Sequence, residues 1–248
     1  GHLLDCLPDL TPCVGGAEAN VAVGLSRLGH ATRMVSIVAD NALGTAAVNE
    51  LRRWGVDVGP VLTAPQRMGL YFLTTGAIHR PSDIVYDRAD SAFAVADFTR
   101  IDWDAALKGA GWLHVSGVTA ALGANSVAAA LHLGVKVSFD CNYRPKLWQA
   151  WGGDAPTMIT ELISHADLVF GGYRDIELIT GLTFVGADGS EARAQAAADH
   201  AFAQFPHLQY LVSTRRTQIN VDHNRLAGLM YTRKGALETQ TYDVERII

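Results

Sequence analysis

Short apolar runs of strand length alternate with longer stretches of helical periodicity along most of this chain, and that alternation restricts the fold more than any other feature. RMVSIVA (33–39), WLHVS (112–116), VKVSFD (135–140), DLVF (167–170) and LQYLVS (208–213) read as buried strands. Helix patterns separate them: 43–54 stopped by Gly55, Asp102 as an N-cap for a helix through Leu107, and further helices near 125–131 and 157–164. Two more follow, one from Arg174 ended by Gly181 and an alanine-rich one capped by Ser190 that runs to Phe205. Strands joined by helical crossovers predict a mainly parallel sheet with helices on both faces.

Two stretches depart from this rhythm. MGLYFLTT (68–75) and DIVYDR (83–88) read as a hairpin within an excursion spanning about 66–92. An insertion of that kind is well placed to cover a site at the carboxyl ends of parallel strands. LAGLMYTRKGALETQTYDV (226–244) reads as a second hairpin, with Lys234 and Gly235 near its turn.

With 248 residues and 49% hydrophobic content, residues 1–248 fit one large domain carrying that excursion. A net charge of -5, with no lysine- or arginine-rich run, argues against nucleic acid or an anionic membrane as partner. Cys6, Cys13 and Cys141 form no C-x-x-C pair, the nine histidines are scattered, and no metal site is expected. No apolar run is long enough to span a bilayer and no signal-peptide pattern opens the chain, so the cytoplasm is the expected compartment.

Four groups of residues carry possible chemistry. In VGGAEANVAVGLSRLG (14–29), Gly15 and Gly16 admit a close backbone approach, and Glu18 and Asn20 follow on the first turn of a helix closed by Gly29. The same residues also suit an ordinary tight turn, and they match neither a G-x-G-x-x-G nor a Walker pattern. In the excursion, alternation puts Tyr71, Tyr86 and Arg88 on one face, suited to a polar anionic ligand or simply to a solvated strand surface. DCNYRPKLW (140–148) follows a central strand, and alternation aims Asp140, Asn142 and Arg144 into the crevice above the sheet, unless the segment is a plain surface loop. GGYRDIELITG (171–181) offers a helix start to an anion, or Asp175 or Glu177 to hydrated Mg²⁺, against the simpler role of acids facing a helix dipole.

Together these segments resemble the ribokinase-like, or PfkB, carbohydrate kinases, most closely the 2-keto-3-deoxygluconate kinase branch. The likeness runs nearly end to end: VGGAEANVAVGLSRLG, VADNALGTAAVNELRRWGVDV (38–58), GLYFL (69–73), VYDRADSA (85–92), HVSGVT (114–119) and SFDCNYRPKLW (138–148). It implies a three-layer α/β/α sandwich with a mainly parallel central sheet and a small β lid. It also implies ATP-dependent, Mg²⁺-assisted phosphorylation of a keto-sugar acid, with pairing of subunits through the lid. Under it Gly16 and Asn20 contact sugar hydroxyls, Tyr71, Tyr86 and Arg88 close over the sugar, and Arg144 faces both the substrate and the phosphate being transferred. Asn142, Tyr143, Gly172, Asp175, Ser213 and Arg215 border the nucleotide.

The likeness also has departures. Ala39 stands where glycine is usual, Gly172 and Asp175 replace the ends of an N-x-x-E motif, and STRRTQ (213–218) is a weak match to a lysine- and glycine-containing turn. The family's D-x-x-G-[AG]-G-D element, which supplies an anion hole and an aspartate base, belongs after TYDVERII, so the base is expected beyond Ile248 and the chain is expected to be incomplete at both ends. The stretch between Ser116 and Val135 reads as compressed, with residues missing near His132. Fructokinase or ribokinase activity, or a non-catalytic sugar-acid-binding paralogue or truncated inactive kinase, are the alternatives.

Overall fold

The computed structural model describes residues 10–76, 82–145, 148, 154–220 and 223–245, without the side chains of 120–125. Cys6, residues 1–4, Lys146, Leu147 and residues 246–248 lie outside the described residues. The chain divides into two compact units, the first reaching Asp102 and including Asn220, the second holding 103–219 and 223–245.

The first unit contains α1 (Ala17–Arg27), β1 (Ser36–Ala39), α2 (Ala42–Arg53), β2 (Val61–Ala64), β3 (Leu70–Thr74) and β4 (Asp83–Asp87). Asn41 caps α2, its side chain accepting from the amides of Leu43 and Gly44 at 3.0 and 3.2 Å. Gly44, Ala47 and Leu51 form the buried face of that helix. A Cβ on Gly44 would sit 1.9 Å from the Ala39 carbonyl oxygen, so glycine is what lets α2 press onto the end of β1. Ala19, Ala22, Leu51, Val56 and Val58 form one core cluster of the unit. β1 and β2 pair in parallel as a two-stranded sheet. The strand expected over 33–39 starts only at Ser36: Arg33 makes an isolated bridge to Asp57 and its Nε donates to Asp57 Oδ2 at 2.7 Å. β3 and β4 form the expected antiparallel hairpin.

The second unit contains α3 (Trp103–Leu107), β5 (Trp112–Ser116), α4 (Ala120–Leu133), β6 (Lys136–Asp140), α5 (Ala155–Ser164), β7 (Leu168–Phe170), α6 (Tyr173–Thr180) and α7 (Glu191–Gln204). β8 (Tyr210–Gln218), β9 (His223–Thr232), β10 (Gly235–Glu238) and β11 (Tyr242–Glu245) complete it. Strands β5 to β8 pair in parallel and in sequence order, as helical crossovers demand. β9 then runs antiparallel to β8, and β10 and β11 share the far edge of β9. Val137, Phe139, Val169 and Leu211 bury one sheet face against Ile159, Ile163, Ile176 and Ala201 of the helices.

Two expectations change here. Helix α4 begins at Ala120, earlier than the reading near 125, and its fourteen residues rise about 21 Å. β8, expected to end at Ser213, continues to Gln218 because each residue from Leu211 onward is paired with β9.

Candidate functional site

The first unit brings together residues from α1 and the hairpin. Gly16 is the N-cap of α1 and offers no capping side chain; its carbonyl accepts from the Asn20 amide at 2.9 Å, and Asn20 is exposed on that turn. A Cβ on Gly15 would lie 2.5 Å from the Tyr71 hydroxyl, so the glycine and the hairpin tyrosine are in direct apposition. Tyr71 sits directly opposite Tyr86 in the β3–β4 register, their ring centroids 6.3 Å apart. The Arg88 guanidinium lies 4.3 Å from the Tyr86 ring centre. The expected common face of Tyr71, Tyr86 and Arg88 is therefore present, and both rings are about half exposed, at 47% and 50%.

A pair that sequence reading missed fixes the base of this hairpin. Arg67 grips Asp87 through two nitrogens, with Nη1 to Oδ1 at 2.6 Å, and its carbonyl accepts from Ala92 at 2.9 Å. Arg67 holds the Asp87 carboxyl below the ordinary aspartate range. With Asp87 occupied, Arg88 has no ion-pair partner among the described residues, and its guanidinium lies against Tyr86.

In the second unit, candidate residues follow the carboxyl ends of β6 and β7, and two more lie on β8. The expected alternation of Asp140, Asn142 and Arg144 is not what joins them, because β6 ends at Asp140 and Asn142 adopts a left-handed φ of 35°. Hydrogen bonds do the joining: the Asn142 amide donates to Asp140 Oδ1 at 3.1 Å, and Arg144 Nε donates to Asn142 Oδ1 at 3.0 Å. Tyr143 packs on the core, whereas Arg144 is exposed.

Beneath this loop two glycines press against Cys141. A Cβ on Gly117 would meet the Cys141 carbonyl oxygen at 2.2 Å, and one on Gly171 would meet Cys141 Sγ at 2.9 Å. Burial pushes the Cys141 thiol well above its ordinary pKa, and the charges of Asp175 and Asp140 add to the effect.

Gly172 is the N-cap of α6, and its amide donates to Asp175 Oδ2 at 2.8 Å. Burial raises the Asp175 pKa above the ordinary aspartate value despite that bond. Glu177, the other acid considered for hydrated Mg²⁺, accepts from the Phe184 amide at 2.9 Å and is held bidentately by Arg193 at 2.8 and 2.9 Å. Its carboxylate is committed to anchoring α6 to α7 and the intervening loop. Among the described residues, no group of three or more His, Cys, Asp or Glu side chains is placed to hold a metal ion.

Ser213 and Arg215 lie inside β8 rather than in a loop, because the strand runs on. Arg215 Nη1 donates to Glu238 Oε1 at 2.7 Å. Next to Arg215 a groove of about 360 Å³ is lined by Thr217, Arg225, Ala227, Thr241 and Asp243. Sequence reading missed this groove; only the strand register assembles it. No described helix is long and apolar enough to cross a membrane.

The fold and the carboxyl-end groups define a ribokinase-like α/β protein. A solved structure of 2-dehydro-3-deoxygluconokinase from Thermotoga maritima superposes with a TM-score of 0.86 at 31% identity, covering 94% of this chain and 72% of that one. The chain belongs to the pfkB family of carbohydrate kinases, whose family profile matches residues 8–213. It is 32% identical over 189 residues to 2-dehydro-3-deoxygalactonokinase of Haloferax volcanii, covering 73% of this chain and 58% of that protein. It is 34% identical over 182 residues to 2-dehydro-3-deoxygluconokinase of Bacillus subtilis, covering 68% of this chain and 54% of that protein. The chain thus spans about half the length of the curated relatives it matches.

Proposed function

We propose that this protein serves ATP-dependent phosphorylation of the terminal hydroxyl of 2-keto-3-deoxygluconate or a close keto-sugar acid. The observation that carries the reading is the Arg88 guanidinium stacked on Tyr86 and without an acid partner among the described residues, on the hairpin face that also presents Tyr71. A cation beside two amphipathic rings suits a ligand with one carboxylate and several hydroxyls. Gly16 and Asn20 supply polar groups to the sugar, and Arg144 faces the substrate and the transferred phosphate. Asn142, Tyr143, Gly172, Asp175, Ser213 and Arg215 border the nucleotide. The hairpin acts as the lid of a single domain and pairs with a second subunit, and the protein works in the cytoplasm.

Magnesium would arrive on the nucleotide, since Mg²⁺ is commonly held by one or two carboxylates together with substrate phosphates. Asp140 is the acid at this end of the sheet suited to that role, since the Gly172 amide already engages Asp175 Oδ2. The bound ion would neutralise phosphate charge. Arg144 adds a fixed positive charge, and the loop bonded through Asn142 keeps that side chain oriented.

Calorimetry with 2-keto-3-deoxygluconate and Arg88→Ala tests the reading. Loss of the guanidinium should weaken binding about tenfold or more, as expected for a charge-assisted contact to a carboxylate. Unchanged affinity, or equal binding of fructose and the sugar acid by the parent protein, would instead favour a fructokinase or ribokinase. A non-catalytic sugar-acid binder is the second reading, favoured by Asp175 Oδ2 being engaged by the Gly172 amide at 2.8 Å. Sugar-acid binding without ADP release in a coupled assay would select it.

A further inference from the structure

Arg88 is flanked in sequence by two acids, Asp87 immediately before it and Asp90 two residues after it. Carboxylates so close to a guanidinium cancel part of its field and repel an anion that approaches it. Asp87 is committed elsewhere by a residue from outside the segment. Arg67, ahead of β3, holds it through both terminal nitrogens, Nη1 to Oδ1 at 2.6 Å and Nη2 to Oδ2. The same guanidinium donates to the backbone carbonyls of Asp87 at 3.3 Å and Ala89 at 3.4 Å, and the charge of Asp90 also acts on it.

The two arginines work on opposite sides of the hairpin. Successive strand residues alternate between faces, so Asp87 points away from the face that carries Tyr86, and Arg88 follows on the tyrosine side, 4.3 Å from the Tyr86 ring centre. Gly69 lies under the Arg88 stem, where a Cβ would come 3.5 Å from Arg88 Cγ. Arg67 keeps the Asp87 carboxyl below the ordinary aspartate range, so that acid is charged at neutral pH and its neutralisation depends on Arg67.

We infer that Arg67 is a positioning residue for carboxylate recognition: as counter-ion to Asp87 on the back of the hairpin, it lets Arg88 meet an anionic ligand with its charge undiminished. The inference rests on the reading of the Arg88 face as the sugar-acid site, and Arg67 acts there through Arg88. The side chains of Arg67 and Asp87 are 40% and 48% exposed, so solvent screens the pair and its effect on affinity is severalfold rather than all-or-none.

Titration calorimetry of the full chain with 2-keto-3-deoxygluconate at low salt tests this, using Arg67→Gln, Arg67→Lys, Asp87→Asn, the Arg67→Gln/Asp87→Asn double variant and Arg88→Ala. Arg67→Gln should weaken binding about three- to tenfold, and Arg67→Lys, which keeps the charge, should largely preserve it. Asp87→Asn should leave affinity equal or tighter, and the double variant should return to within about twofold of the parent. Added salt should shrink the Arg67→Gln defect. A merely structural clamp gives a different pattern, in which both single variants weaken binding and the double variant recovers nothing. Circular dichroism melts verify folding, and the sign of the Asp87→Asn effect decides the matter even if Arg67→Gln does not fold. An unaltered Arg67→Gln affinity, weakening by Asp87→Asn, or an unrescued double variant would overturn the inference. Arg88→Ala separates the two proposals: if it leaves affinity unchanged the sugar-acid reading fails, whereas a loss there with no loss in Arg67→Gln sinks only the role of Arg67.

Discussion

Gly15 and Tyr71 are so closely apposed that a single methyl group on the glycine would lie 2.5 Å from the tyrosine hydroxyl. Gly15→Ala should therefore push Tyr71 out of line with Tyr86 and weaken sugar-acid binding, with a stability cost of about 1 kcal/mol. Tyr71→Phe in the same chain removes the clashing oxygen and leaves the next ring atom at 3.4 Å, an ordinary contact. Thermal melts of the single and double variants should show the two changes coupled, the second suppressing the stability loss of the first. Additive losses would disprove the apposition.

Gly44→Ala tests the first unit's packing. Helix propensity alone predicts a gain of about 1 kcal/mol. The added methyl, however, would sit 1.9 Å from the Ala39 carbonyl oxygen, on backbone that cannot swing aside. Overpacking of this kind costs about 1–3 kcal/mol or more, so the net effect in urea denaturation should be destabilising.

Asp175 gives a pH signature. Burial raises its pKa in the folded chain, so the folded state holds this proton more tightly than the unfolded state does. The stability tied to that proton is complete below the ordinary aspartate value of 3.8 and is lost as pH rises through the elevated value. Asp175→Asn keeps an oxygen for the Gly172 amide and has no charge to bury. The melting temperature of the parent minus that of the variant should therefore fall with rising pH across this window, and a flat difference would refute the assignment.

The cysteines should differ in reactivity. Cys13 is exposed and Cys141 is buried, with its thiolate disfavoured by burial and by two nearby acids. Iodoacetamide followed by peptide mass spectrometry should modify Cys13 in the folded chain and reach Cys141 only after unfolding.

Local signals made much of the fold legible. The WLHVS strand and the helix closed by Gly181 carry their own boundaries, since that glycine adopts a left-handed conformation that ends a helix. The period-two pattern of the hairpin likewise puts Tyr71, Tyr86 and Arg88 on one face, and the register makes the two tyrosines direct partners. What escaped was set by distant partners. STRRTQ is polar and reads as the start of a loop, yet pairing with β9 holds it as strand through Gln218. Register alone likewise sets Arg225 and Asp243 side by side. Strand alternation predicts that Asn142 continues β6, whereas its left-handed backbone and its bond to Arg144 form a loop held by side chains.

The far edge of β9 is closed by two short strands rather than one. β10 pairs with its second half and β11 with its first, and Thr239 spans the gap by exchanging hydrogen bonds with Gly228 at 2.9 and 3.0 Å. An uninterrupted strand edge is a template on which another polypeptide can polymerise. Here the splice at Thr239 leaves no open run of amides along β9, so this flank of the sheet is guarded against aggregation by the chain's own continuation.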